Sequence, residues 1–237
     1  MLKLSQAIRD PALVARSIRY RLASFWKTHI SRDEFHVALA RWYADDGDGT
    51  LRLNYPLDDG ALVLDLGGYM GDFTQNILEK FGCRVLLFEP SPKFFLACQE
   101  RFKADPRVSC FNFALSDHDG EEFLSTAQDG SSIKGQRAQN GEPVAVRRIS
   151  SFLHEQHIEN IDLIKINIEG GEFDVLPDLI DSGLLRTCRH IQVQFHDFIP
   201  GARQMRTDIR ESMRKTHVEA WSYPFVWESW TRRPDNA

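Results

Sequence analysis

The stretch Val63–Thr74 reads VLDLGGYMGDFT. A run of branched apolar residues meets Asp65 and then breaks at Gly67, Gly68 and Gly71. The next segment, DFTQNILEKFG, puts Phe73, Ile77, Leu78 and Phe81 on one helical face, with Gly82 where a C-cap belongs. A buried strand, a glycine turn and a helix in that order are the opening of a parallel α/β sheet. In such sheets ligands sit at the carboxyl ends of the strands, where the strand order reverses.

The pattern continues outward from this unit. RVLLFE is a second strand, and SPKFFLACQERF a helix with Ser91 as N-cap and Pro92 in its first position. VSCFNFAL reads as a third strand and EEFLST as a hairpin strand. Ala127–Pro143 is polar and glycine-containing and reads as a surface loop. VAVRRI reads as a strand and SSFLHEQH as a short helix capped by serine; DLIKINIE and HIQVQFH are later strands. A helix near Arg203–His217 and an aromatic hairpin near Val218–Thr231 follow. The expected fold is α/β and Rossmann-like, with helices on both faces of a mostly parallel sheet. Residues 1–44 read as helical and 45–60 as a turn-rich connector. This divides the chain into an N-terminal helical extension, 1–50, and one domain, 51–237.

The bulk numbers limit the function. A chain of 237 residues, 42% hydrophobic, supports one sizeable core, and a net charge of −5 lacks the basic footprint of a nucleic-acid binder. Cys83, Cys98, Cys110 and Cys188 form no CxxC pair or metal spacing, so buried reduced thiols are expected and no metal site is assigned. No N-terminal apolar stretch has the length of a signal peptide or a membrane span, and a cytoplasmic location is the expectation.

The glycine spacing narrows the ligand. A dinucleotide site places glycines at relative positions 1, 3 and 6 so that pyrophosphate reaches a helix N-terminus. Here the pattern is Asp-x-Gly-x-x-x-Gly, from Asp65, Gly67 and Gly71. An acid beside the turn suits an ammonium group. Glu89, ending the second strand, suits two ribose hydroxyls, and Asp117 suits an adenine amino group. S-adenosylmethionine combines these parts without a phosphate; a nicotinamide-dependent oxidoreductase is the disfavoured alternative.

Two later strands carry polar stripes. In LIKINIEGGEF, alternation puts Lys165, Asn167 and Glu169 on one face; in HIQVQFHD it puts Gln192, Gln194 and His196 together. Strands covered on both sides are normally apolar throughout, so these stripes mark a cleft or a buried hydrogen-bonded network. A buried Lys165 requires an anion, and Glu172 and Asp65 are the candidates.

Together, LVLDLGGYMGDFT, LLFEPSPKFF, FALSD, DLIKINIEGGEFDVL and QVQFHD resemble the FkbM-type family of S-adenosylmethionine-dependent methyltransferases, from about Tyr55 to Trp230. The resemblance implies a seven-stranded sheet with a final antiparallel strand. It implies O-methylation of a small-molecule or saccharide hydroxyl. It places the cofactor on Asp65, Gly67, Glu89 and Asp117, with Gly68, Tyr69, Gly71, Pro90, Ser116 and Asn167 in the same set. The family commonly has Asp at Asn167 and often Ala at Gly171, which keeps a weakly active or non-catalytic relative open. His196 is the first expected general base, since an unperturbed imidazole titrates at about 6.5. Glu169 is the second, and Asn167 and Lys165 complete the expected catalytic group.

Pro11–Arg32 holds five basic residues and no acid along an apolar helical face. It reads as a cap or dimer contact, or as a peripheral membrane contact. Trp221, Tyr223, Phe225 and Trp227 alternate on one face, as core packing or as a sugar-stacking platform.

Overall fold

The computed structural model describes residues 26–27, 33–124 and 141–234. Apart from Trp26 and Lys27, the basic stretch Pro11–Arg32 lies outside the described residues, as does most of the loop Ala127–Pro143.

The glycine-turn unit forms as its pattern dictates. Strand β1 (Leu62–Leu66) enters the turn, and helix α2 (Asp72–Phe81) leaves it and ends at Gly82, which is left-handed and donates its N–H to Leu78 O. Around this unit lie β2 (Arg84–Phe88), α3 (Pro92–Phe102), β3 (Val108–Phe111), β7 (Ile161–Ile166), α5 (Glu172–Asp181), β8 (Cys188–Val193), α6 (Ala202–Met213), β9 (His217–Tyr223) and β10 (Trp227–Arg232). The main sheet has seven strands in the order β3-β2-β1-β7-β8-β10-β9. Strand β10 runs antiparallel to both β8 and β9, while β3, β2, β1, β7 and β8 pair in parallel. The chain steps outward from β1 to β3, then returns to β7 on the other side of β1. The switch point therefore lies between β1 and β7, and the loops Gly67–Gly71 and Asn167–Gly171 meet above it.

Alternation divides the core between the two faces. Leu64, Leu66, Ile164, Ile166, Ile191 and Val193 pack with Phe152, Val175, Leu176 and Met213 on one side. Val63, Val85, Leu87 and Leu163 pack with Ile77, Leu78, Cys98 and Phe102 on the other. Cys83, Cys98 and Cys188 are buried and all four cysteines are free thiols.

Three local expectations are corrected. VSCFNFAL is two strands in two sheets: β3 ends at Phe111, and β4 (Ala114–Ser116) joins a small sheet in the order β4-β6-β5, with β5 (Gly120–Leu124) and β6 (Glu142–Arg148). Asn112 turns the chain between them, its Nδ2 donating to Glu89 O and Pro90 O at 3.0 Å each. Helix α4 (Ile149–Glu155) begins before the serines, and its cap comes from elsewhere: the Ser150 N–H donates to Asp178 Oδ2 (3.0 Å), on α5. Phe225 does not share a face with the other three aromatics. It sits in the β9–β10 turn with φ +60 and packs into the larger core cluster. Trp221, Tyr223 and Trp227 instead pack on Trp42 of helix α1 (Glu34–Ala44), a core arrangement. No described helix is long and apolar enough to cross a membrane.

Candidate active site

Gly67 shows why the turn is built of glycine. Its φ is +83, and an added Cβ would lie 2.0 Å from the backbone oxygen of Asn167. The β1 and β7 loops therefore touch through bare backbone. The N–H groups of Gly67 and Gly68 both donate to Phe88 O, at 3.0 and 3.1 Å, tying the turn to β2 as well. Tyr69, a non-glycine residue at φ +49, is held by three contacts: its N–H donates to Glu89 Oε2 (2.8 Å), its carbonyl accepts from Cys98 Sγ on α3 (3.1 Å), and its exposed ring tilts against Phe94 on the same helix (4.5 Å).

Glu89 is 6% exposed, and its second oxygen accepts the Ser91 N–H at 2.9 Å. Burial raises its pKa, while the Ser91 and Tyr69 amides and the Lys165 charge oppose that rise. Each carboxylate oxygen has a further lone-pair direction for a diol.

Asp65 is placed differently from its expected role. It is fully buried, with Oδ1 on Lys165 Nζ (2.9 Å) and Oδ2 on Thr74 Oγ1 (2.8 Å). Lys165 Nζ also donates to Leu66 O (3.2 Å) and Gly67 O (2.7 Å). Burial lowers the Lys165 pKa, opposed by the Asp65 charge beside it. Of its two sequence candidates, the partner of Lys165 is Asp65 and not Glu172. Lys165 is an internal cation whose three donors are spent, so the expectation that it acts catalytically is corrected. Asp65, expected to meet a ligand ammonium, is fully buried and already holds a cationic partner of the chain's own in Lys165. Next in this row, Gln192 accepts from Arg52 Nε (3.3 Å) and donates to Arg52 O and Tyr55 Oη, both at 3.0 Å. Tyr55 Oη meets Ser229 Oγ at 3.0 Å. This part of the two stripes is a buried hydrogen-bonded network.

The other stripe residues gather above the strands. Strands β7 and β8 end at Ile166 and Val193, so Glu169 and His196 lie on loops, outside the strand alternation expected for them. Glu169 has φ +51, a strained value for a non-glycine residue. His196 Nε2 stands 3.5 Å from Glu169 Oε1, and Nδ1 stands 3.0 Å from Glu172 Oε1. Burial pushes the His196 pKa down, but the two carboxylates outweigh it and raise it to about 9. The ring expected to stand near 6.5 as the first general base is thus shifted upward by its two carboxylate neighbours. Asn167 Oδ1 is buried without a hydrogen-bond partner among the described residues, beside Gly67 at the end of β7.

Ser116 ends β4, in the small sheet, and Asp117 follows it. Asp117 is exposed, accepts from Ser116 Oγ (3.3 Å) and pairs with His118 Nδ1 (2.7 Å). The hydrogen bond from His118 lowers its pKa. Pro90 contributes its carbonyl to Asn112. Sequence reasoning missed Thr74, Tyr55 and the use of Glu172. The only signal for Glu172 is its i,i+3 spacing from Glu169 across two glycines.

A family model for the methyltransferase FkbM domain matches residues 65–222, which span both loops and all the residues around His196. This chain belongs to that family. Methyltransferase 1 of Beauveria bassiana is 24% identical over 166 residues, 56% of this FkbM chain and 67% of that protein. The 2-O-methyltransferase NoeI of Sinorhizobium fredii is 27% identical over 135 residues, 48% of this chain and 56% of that one. The FkbM chain thus spans only part of these relatives. A solved structure of a candidate rRNA-methylase from Clostridium thermocellum matches 81% of this chain and 97% of its own, with a TM-score of 0.50 at 11% identity, a likeness of fold.

Two features fit S-adenosylmethionine to an FkbM site of this form. Glu89 presents a braced carboxylate at the end of β2. Asn167 offers an unpartnered buried oxygen at the end of β7.

Proposed function

We propose that this domain binds S-adenosylmethionine over the ends of β1, β2 and β7 and methylates a hydroxyl of a saccharide or related small molecule. The carrying observation is Glu89: a buried carboxylate, held by the Tyr69 and Ser91 amides, beside a glycine turn at the switch point. When bound, the cofactor would supply an electrophilic methyl group, the C–S electron pair staying on sulfur as a neutral thioether. Glu89 would hold the ribose, and the backbone at Gly67 and Gly68 would admit the chain between ribose and amino acid. Because Asp65 is fully buried against Lys165 and Thr74, the amino end falls to Asn167 Oδ1 and neighbouring carbonyls. Asp117 is the candidate for the adenine amino group. The protein's main contribution is orientation, which supplies roughly 7–11 kcal/mol in well-aligned reactions. The likeness to NoeI, named a 2-O-methyltransferase, supports oxygen as the acceptor atom.

Isothermal titration with S-adenosylhomocysteine tests the cofactor half. The parent protein is expected to bind, and Glu89→Gln to bind about 10–100-fold more weakly, the equivalent of one or two charge-assisted hydrogen bonds. No binding by the parent, or tight binding of NAD instead, overturns the reading. Asn167, where the family commonly has Asp, supports a second reading, a domain that binds cofactor and transfers little. Label from a methyl-labelled donor in an alkali-stable saccharide product decides for transfer; intact homocysteine-ligand binding without label decides for the second reading.

A further inference from the structure

We infer that Glu172 and His196 are positioning residues that clamp the Glu169 carboxylate at the mouth of the site, so that Glu169 rather than His196 takes the acceptor's proton. The last clause rests on the methyl-transfer reading above; the clamp does not.

The clamp begins with Glu172, in the first turn of α5 and fully buried. Its Oε2 accepts the Gly170 N–H (2.8 Å), and its Oε1 accepts the His196 N–H (2.9 Å). One side chain therefore ties the β7–α5 loop to the segment leaving β8. The same Oε1 lies 3.0 Å from His196 Nδ1. A carboxylate oxygen accepts, so Nδ1 must donate. The other ring nitrogen faces Glu169 Oε1 at 3.5 Å, again an acceptor. With acceptors at both ends, the ring holds two protons and has no lone pair for a third. The charged groups facing it are Glu169, on the β7–α5 loop, and Glu172, on α5; the Phe198 ring covers it at 5.3 Å.

Glu169 differs from both partners in access: its side chain is 30% exposed, against 8% for His196 and 0% for Glu172. Its φ of +51 is followed by Gly170 at φ +110, a loop shape that needs outside support. The imidazolium supplies that support by attraction at close range. In the transfer, the acceptor oxygen keeps the electron pair of its O–H bond for the new O–C bond. The released proton goes to a Glu169 carboxylate oxygen, and His196 keeps both of its own.

Histidine-labelled protein followed by NMR across pH 5–10 tests this without an acceptor. His196 is expected to titrate near pH 9 in the parent protein. Removing either carboxylate charge, by Glu169→Gln or Glu172→Gln, is expected to lower the midpoint by about 1–3 units. Glu169→Gln alters a part-exposed side chain and keeps the test alive should Glu172→Gln not fold. A parent midpoint near 6.5, or an unmoved midpoint in Glu169→Gln, overturns the clamp. S-adenosylhomocysteine titration of the same samples separates the two readings: a midpoint near 9 with no ligand binding supports the clamp and removes the methyl-transfer role. A ring pKa raised on folding also stabilises the fold fully below 6.5, and that stabilisation is lost as pH rises through about 9.

Discussion

Lys165→Met is expected to lower the unfolding free energy by about 3–5 kcal/mol, the usual result of stranding one member of a buried ion pair. The side chains of Lys165 and Asp65 are 4% and 0% exposed, so Asp65 would keep only Thr74 as a side-chain partner. Three acceptors lose the ammonium at once: Asp65 Oδ1, Gly67 O and Leu66 O, of which Leu66 O keeps the Asn167 N–H. The two carbonyls end β1 and begin the glycine turn, so the turn loses a cross-strand anchor as well. Urea unfolding at neutral pH reads the effect. The double variant Lys165→Met with Asp65→Asn removes the stranded charge while keeping an acceptor for Thr74, and it is expected to recover a large part of the loss. A stability change below about 1 kcal/mol in Lys165→Met would show that the pair contributes little, as exposed pairs do.

The second large effect is expected from Gly67→Ala. At φ +83 a Cβ costs about 1–2 kcal/mol in backbone strain. The steric term is larger, because the new atom would sit 2.0 Å from Asn167 O, a backbone atom. Asn167 N is itself bonded to Leu66 O (3.1 Å), so the two strand ends cannot part without breaking their ladder. The displaced turn is expected to weaken S-adenosylhomocysteine binding at least about tenfold, or 1.4 kcal/mol. A misplacement on the scale of an ångström costs about 10²-fold in turnover. Gly171→Ala is the control: its φ is −68, and its Cβ would meet the flexible end of Ile168 at 3.0 Å. Calorimetry should find Gly171→Ala near the parent and Gly67→Ala far from it; equal affinities would remove Gly67 from the ligand site.

The carboxylates and the histidine divide into two groups by what surrounds them. Asp65 and Lys165 cancel each other inside the sheet. Glu172, His196 and Glu169 form a second charged group above it, graded from fully buried to part exposed. Reactive groups are expected at the exposed end of such a gradient, where an acceptor can reach them. Another charged group, Glu228 with Arg206 and Arg210, joins α6 to β10, with Trp230 Nε1 donating to Glu228, and belongs to the packing of that helix.

Much of the fold was legible because it depends on local rules. Period-2 and period-3.6 patterns marked β1, α2, β2, α3 and β7, while helix α5 had no such reading. The glycine spacing disfavoured a pyrophosphate turn, and Gly82 marked a helix end. The errors fell where a distant side chain overrides the local pattern. Asn112 splits a continuous apolar run by bonding to Glu89 O and Pro90 O. Asp178 caps α4 from another helix, so the serines did not mark its start.

The amino-acid sequence by itself determined the α/β class and the glycine turn after β1, on which the candidate site is proposed, since these follow from periodicity and from the backbone freedom of glycine. Only the tertiary structure decided which charge meets which. Strand register brings Asp65 beside Lys165, and a buried carboxylate on α5 draws His196 and Glu169 together from loops where alternation no longer applies. Burial and neighbouring charge set the protonation of His196, and neither is a property of the chain's order.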